Sequence, residues 1–145
     1  MQITELSEKY LHQAVDLWEA TGLTRPWNDP LADARRALRE PTSTVLAMIE
    51  NDQVVGTAMT GHDGHRGWLY YVAVDPRRQG NGLGRALVDA ASRWLRERAV
   101  PKVQLMVRSE NAGVIDFYER LGFEDQQVVV LGRRLDQSEA RAGKE

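Results

Sequence analysis

The sequence contains no cysteine. Disulfide frameworks, zinc–thiolate sites and thiol nucleophiles are therefore excluded. It also lacks an apolar run approaching the ~20 residues of a bilayer-spanning helix, so no membrane span is expected. The opening residues, MQITELSEKY, carry no basic segment followed by an apolar stretch. No secretory leader is expected there, and the cytoplasm is the expected compartment. A surplus of positive charge is missing as well: 19 basic side chains face 21 acidic ones, for a formal charge of −2. Binders of nucleic acid that rely on phosphate neutralisation show the opposite balance, so no nucleic-acid partner is expected. No repeat, low-complexity block or Gly/Ser/Pro linker divides the chain. What remains is 145 residues, 42% apolar and 28% charged, the size and composition of one globular domain.

Ile3 to Leu6 reads as a strand. Ser7 then suits an N-cap, and Leu11, Ala14, Val15 and Trp18 follow at helical spacing as far as about Thr21. Asp29-Pro30 is a cap and first-turn pair for a second helix that Pro41 stops. Thr44 to Glu50 and Val54 to Thr60 read as strands joined by a tight turn at Asn51-Asp52. A third strand, Trp68 to Val74, ends at Asp75-Pro76. A Gly-rich segment then opens a helix reaching about Ala99. Lys102 to Val107 is expected as a strand and Ala112 to Leu121 as a helix ended by Gly122. Gln127 to Leu131 and Arg133 to Leu135 are expected as closing strands, and Asp136 to Glu145 as a polar tail. This order predicts a mixed sheet with helices on both faces.

Between a strand and a helix stands Gln79-Gly80-Asn81-Gly82-Leu83-Gly84-Arg85. Glycine at every second position leaves little bulk over the helix start, where backbone N–H groups lack partners and face outward. Such a turn suits a phosphate or pyrophosphate, with Arg77, Arg78 and Arg85 able to add charge at its rim. A Walker loop is excluded because Arg85-Ala86 stands where Lys and Ser or Thr are required. A dinucleotide fingerprint is excluded by the G-x-G-x-G spacing past mid-chain. The acyl-CoA loop, Q/R-x-x-G-x-G/A, is matched by Gln79, Gly82 and Gly84. A purely structural turn is the other reading.

Downstream, Asn111 suits a helix cap whose amide also reaches a ligand. Val114, Phe117 and Leu121 share one helix face and are expected inside, with the hydroxyl of Tyr118 emerging beside them.

Taken together, Tyr71-Val72-Ala73-Val74-Asp75-Pro76, the Gln79 to Gly84 turn, Asn111 with Phe117-Tyr118, and Leu121-Gly122-Phe123 resemble the GNAT family of N-acetyltransferases. The resemblance spans roughly residues 1–135. Arg25 to Pro30 and Gly61 to Gly67 further resemble small bacterial YpeA-type members. The resemblance implies a single-domain α/β fold: a mixed, mostly antiparallel sheet with a splayed central strand pair. It implies transfer of an acetyl group from acetyl-CoA to a primary amine by direct attack. The backbone of Val72, Ala73 and Val74 would bond the pantetheine arm as a pseudo-strand. Gln79, Gly80, Asn81, Gly82, Leu83, Gly84 and Arg85 would hold the pyrophosphate, with Asn111 also on the coenzyme. An N–H near Val72 would serve as oxyanion donor. Tyr118 would be the general acid to the CoA thiolate, since a phenol pKa of about 10 lies near a thiol's ~8.5. A non-catalytic acyl-CoA sensor or adaptor is the alternative.

Many relatives carry a glutamate base on the strand that here reads Trp68-Leu69-Tyr70-Tyr71-Val72, and this sequence has none. A water chain ending at Asp63, His65 or Tyr70 is one substitute. His62, Asp63 and His65 are three potential ligands in one loop without a fourth, so no metal is expected. Trp27 and Asn28, with Asp63 and His65, are the expected acceptor-side residues, whereas Asp29 is assigned to the cap. The expected acceptor is a small-molecule amine or a protein amine, and the edge of the closing strands allows a homodimer.

Overall fold

The computed structural model describes residues 2–136. The chain forms two compact units, Met1–Arg108 and Ser109–Glu145.

In the first unit, strand-period apolar residues build β1 (Gln2–Glu5), β2 (Ser43–Glu50), β3 (Gln53–His62), β4 (Gly67–Val74) and β5 (Val103–Leu105). They form one five-stranded sheet in the order β1-β2-β3-β4-β5. The first four strands are antiparallel, and β5 runs parallel to β4. Asn51 and Asp52 join β2 to β3 with φ of 51° and 62°. Both central residues of a tight hairpin turn need positive φ, which Asn and Asp tolerate well. A parallel pair cannot close through a tight turn. The crossover to β5 is α3 (Leu83–Arg96).

Helices cover both faces of this sheet, as expected. Adjacent strand residues face opposite sides. A Cβ on Gly56 would lie 2.7 Å from Leu87 Cδ1 of α3. The next residue, Thr57, accepts a hydrogen bond of 2.8 Å from Trp18 of α1 (Leu11–Ala20). On that second side α2 (Pro30–Arg39) adds Ala34 and Ala37 to a core with Leu11, Trp18, Val45 and Ala73. The first helix begins later than its cap residue suggests. Ser7 makes no side-chain cap bond, and residues Glu8–Tyr10 form a 3-10 turn before α1. β5 is shorter than expected, three residues rather than Lys102 to Val107.

In the second unit, α4 (Ala112–Arg120) ends at Gly122, φ +93°. Phe123 N–H donates to Tyr118 O and Gly122 N–H to Glu119 O, each at 3.0 Å. This is the Schellman arrangement that a left-handed glycine permits. The closing strands expected at Gln127 to Leu131 and Arg133 to Leu135 are absent: none of these residues is in a strand. Val128, Val129, Val130 and Leu131 are exposed. Their β-branched side chains supply strand propensity, but a strand exists only when its backbone finds an edge. Of the expected polar tail, only Asp136 lies within the described residues. Among the described residues no helix is long and apolar enough to cross a membrane.

Candidate functional site

The β3–β4 ladder breaks beside the Gly-rich turn. Thr57 pairs with Ala73 and Met59 with Tyr70, so the single residue Ala58 faces both Tyr71 and Val72. This is a bulge with one extra residue on β4. Tyr71 sits there at φ +49°, the left-handed region that L-residues other than glycine rarely occupy. Past the bulge, Asp75 N–H donates to Val55 O at 2.8 Å. By antiparallel alternation, Val74 then turns its backbone groups to the opposite edge. On that edge the β4–β5 ladder stops at Leu69 and Leu105. The main chain from Tyr70 to Val74 therefore has no β5 partner.

Three side chains hold Tyr71 in place. Its ring stacks on Trp18, with centroids 4.0 Å apart and planes 20° from parallel. Its hydroxyl donates to Asp33 Oδ2 at 2.9 Å. Its carbonyl accepts from the Thr57 hydroxyl at 2.9 Å, and Thr57 Oγ1 accepts from Trp18 Nε1 at 2.8 Å. Burial, then the Asp33 bond, pushes the Tyr71 phenol well above its ordinary value. Sequence reasoning missed this cluster. The available signal was Thr57 and Thr60 within an apolar strand: a buried hydroxyl needs a partner.

In the turn, Gly80 and Gly82 have φ of +88° and +76°, and a Cβ at either would meet nothing within 4 Å. Conformation, not crowding, selects glycine here. Gly82 is the N-cap of α3 and brings no side-chain acceptor. Ala86 N–H donates to Gly82 O at 3.1 Å. The N–H groups of Leu83, Gly84 and Arg85 precede that bond and have no acceptor within the helix. Gln79 and Asn81 brace the turn, Nε2 donating to Val74 O at 3.5 Å and Nδ2 to Arg78 O at 3.2 Å. Arg77 pairs with Asp75 at 3.0 Å, and Arg78 pairs with Glu50. Of the three expected rim cations, these two are thus engaged by acids. Arg77 holds the Asp75 carboxyl below its usual range.

Trp27 and Asn28 lie exposed on the α1–α2 connection. Asp29 caps α2, accepting from Ala32 N–H at 3.1 Å with Pro30 in the first turn, as expected. Asp63 and His65 stand on the β3–β4 connection. Asp63 is less available than the sequence suggests. One oxygen accepts from Arg66 N–H at 2.8 Å and His65 N–H at 2.9 Å, and the other from Trp68 Nε1 at 3.3 Å. These donors, Arg66 first, lower its pKa to about 2. Burial, followed by the charge of Asp63, raises the Tyr70 phenol. Among the described residues no three His, Asp or Glu side chains gather as a metal site.

In the second unit Asn111 Oδ1 accepts from Val114 N–H at 3.4 Å, so the expected cap is present. The inward face of α4 differs from expectation. Tyr118 is its buried residue, whereas Val114 is exposed. The Tyr118 ring meets Phe117 and Phe123 edge-on, with centroids 4.9 and 5.4 Å away. Burial pushes its phenol up to about 12, above the ordinary value near 10 expected from sequence.

The acetyltransferase (GNAT) family pattern matches residues 8–123. Among solved structures, the aminoglycoside N-acetyltransferase AAC(6')-Iy, in complex with a CoA bisubstrate analogue, is 19% identical. It aligns over 92% of this chain and 97% of its own, with a TM-score of 0.78. The aminoglycoside acetyltransferase meta-AAC0020 from an uncultured soil metagenomic sample, in complex with sisomicin, is 20% identical. It covers 93% and 96% of the two chains, with a TM-score of 0.78. AAC(6')-IG from Acinetobacter haemolyticus is 18% identical over 94% and 100%, with a TM-score of 0.77. At these identities the likeness is one of fold.

Proposed function

Since the chain belongs to the GNAT family of acetyl-CoA-dependent acetyltransferases, we propose that it acetylates a primary amine at the site around the β4 bulge. The observation that carries this reading is the stretch of β4 beyond Leu69 that has no β5 partner, followed through the Gly-rich turn by an α3 start without a side-chain cap. The backbone of Val72 and Val74 bonds the amide-bearing pantetheine arm by strand addition, and Ala73 between them, paired to Thr57, holds their spacing. The N–H groups of Leu83, Gly84 and Arg85 receive the diphosphate, on the positive end of the helix. Gly80 and Gly82 supply the turn, and Gln79 and Asn81 keep its shape. Within the second unit, Asn111 is the proposed coenzyme contact.

Bound acetyl-CoA supplies an activated thioester. The amine nitrogen attacks its carbonyl, the C–S bond breaks, the CoA thiolate leaves hydrogen-bonded to the Tyr118 hydroxyl, and the proton that the amine gives up to form the amide passes through water to the thiolate. At a pKa of about 12 the phenol remains protonated at neutral pH. It holds its proton more tightly than a thiol of pKa ~8.5, so Tyr118 acts chiefly as a hydrogen-bond donor to developing negative charge.

Trp27, Asn28, Asp63 and His65 border the acceptor. A small-molecule amine is favoured over a protein amine, because similar folds include aminoglycoside acetyltransferases. The resemblance of the Arg25 to Pro30 and Gly61 to Gly67 segments to YpeA-type members supports that subgroup as the proposed one, and the cytoplasm is the proposed compartment. A homodimer would cover the exposed Val128 to Leu131 run. The deciding experiment is calorimetry with acetyl-CoA and CoA, followed by thiol release across a primary-amine panel. Saturable binding of both, with amine-dependent release, is expected. Absence of binding overturns the reading.

A further inference from the structure

Tyr71 occupies a backbone conformation that glycine would adopt without strain, yet the residue is tyrosine. Strain of this kind persists only where the surroundings over-determine it. Here they do so through separate groups. Trp18 of α1 covers the ring, Asp33 of α2 takes the hydroxyl, and Thr57 of β3 takes the carbonyl. Thr57 and Trp18 are fully buried and bonded to each other, so neither can turn away without leaving a polar group unsatisfied. The residue so fixed directly precedes Val72, and the Tyr71 ψ angle sets where the Val72 N–H points.

We infer that Trp18, Thr57 and Asp33 are positioning residues for acyl transfer: by clamping Tyr71 in the bulge they aim the Val72 N–H at the thioester carbonyl. The inference rests on the acetyl-CoA reading above and adds to it a set of side chains from three different elements. None of the three need touch the coenzyme. A donor held before the substrate arrives costs no reorganisation during reaction, which makes a rigid clamp useful there.

Acetyl-CoA labelled with carbon-13 at its carbonyl tests this. A hydrogen bond to that oxygen moves the carbonyl resonance downfield when the wild-type protein binds. Thr57→Ser keeps the clamping hydroxyl and should keep the displacement. Thr57→Val keeps the shape but loses the hydroxyl. It should lose most of the displacement and about tenfold in thiol release, the value of one hydrogen bond. Its affinity for unacetylated CoA, measured by calorimetry, should stay within about twofold of wild type. Tyr71→Phe frees the ring from Asp33 and should give an intermediate displacement, and it decides the matter if Thr57→Val does not fold. A full displacement in Thr57→Val, or in Tyr71→Phe where that variant decides, overturns the inference. So does a parallel loss of CoA affinity in Thr57→Val, which would mark a general packing role. If wild type binds acetyl-CoA but these variants do not differ from it, only the clamp fails. If wild type binds neither ligand, the acetyl-CoA reading fails and takes the clamp with it.

Discussion

Trp18 lies against Tyr71 at 4.0 Å between ring centroids while its indole N–H donates to Thr57. One side chain thus joins α1 to two neighbouring strands. Trp18→Phe removes the N–H and leaves the Thr57 hydroxyl one donor short, which should cost about 1–2 kcal/mol. Trp18→Ala adds a cavity and should cost about 3–5 kcal/mol. Urea denaturation of the two variants checks the order, and equal losses would show that the buried ring contributes nothing beyond its N–H.

Gly82 caps α3 at φ +76° with open space around it. Gly82→Ala should therefore lose only the conformational term, about 1–2 kcal/mol. Gly82→Asn should lose less, because asparagine tolerates that region. Acetyl-CoA affinity should fall in both variants, since each adds a Cβ at the turn proposed to receive the diphosphate. Urea melts paired with calorimetry separate these effects.

Tyr118→Phe should lower the maximal rate about 100-fold, the low end for a positioned proton donor, with little change in the KM for acetyl-CoA. Tyr118 has its folded pKa raised to about 12. Its contribution to stability is thus fully present below the unfolded value near 10 and disappears as pH rises through about 12. The rate of the wild-type enzyme should show no loss from phenol ionisation below about pH 10. Unaltered turnover in Tyr118→Phe with every amine would remove the residue from the reaction.

Asp63 works in the opposite direction. Its folded pKa is depressed to about 2. Its stabilisation of the β3–β4 loop is present above the unfolded value near 3.9 and lost as pH falls through about 2. Carboxyl carbon-13 titration should find Asp63 as a low outlier. Asp63→Ala should return the Arg66 and His65 amides to rapid hydrogen exchange, and unchanged protection would contradict these bonds.

The exposed run from Val128 to Leu131 predicts self-association. Light scattering should give the mass of a dimer for the wild-type chain and of a monomer for a Val129→Lys, Leu131→Lys double variant. A monomeric wild type would leave the run unexplained by a second copy.

Features governed by neighbours in the chain were legible in the sequence. The Asn51-Asp52 turn, the Asp29 and Asn111 caps and the Gly80 to Gly84 turn each follow from local backbone preferences. Features set by distant partners were not. The run from Gln127 to Leu131 has every local mark of a strand, but pairing needs an edge that propensity cannot supply. Tyr118 and Phe117 stand one residue apart, and only packing decides which turns inward. Asp33 reads as an ordinary first-turn acid of a helix, and its bond to Tyr71 spans 38 positions.

The donors at the start of α3 belong to the main chain. Every amino acid except proline carries an identical N–H, so mutation can rewrite most of the surrounding side chains without removing those donors. What heredity must preserve is a dihedral pattern, chiefly at Gly80 and Gly82. On the proposed reading, such an anchor would give the acceptor-side loops freedom to diverge toward new amines while the coenzyme end stays the same.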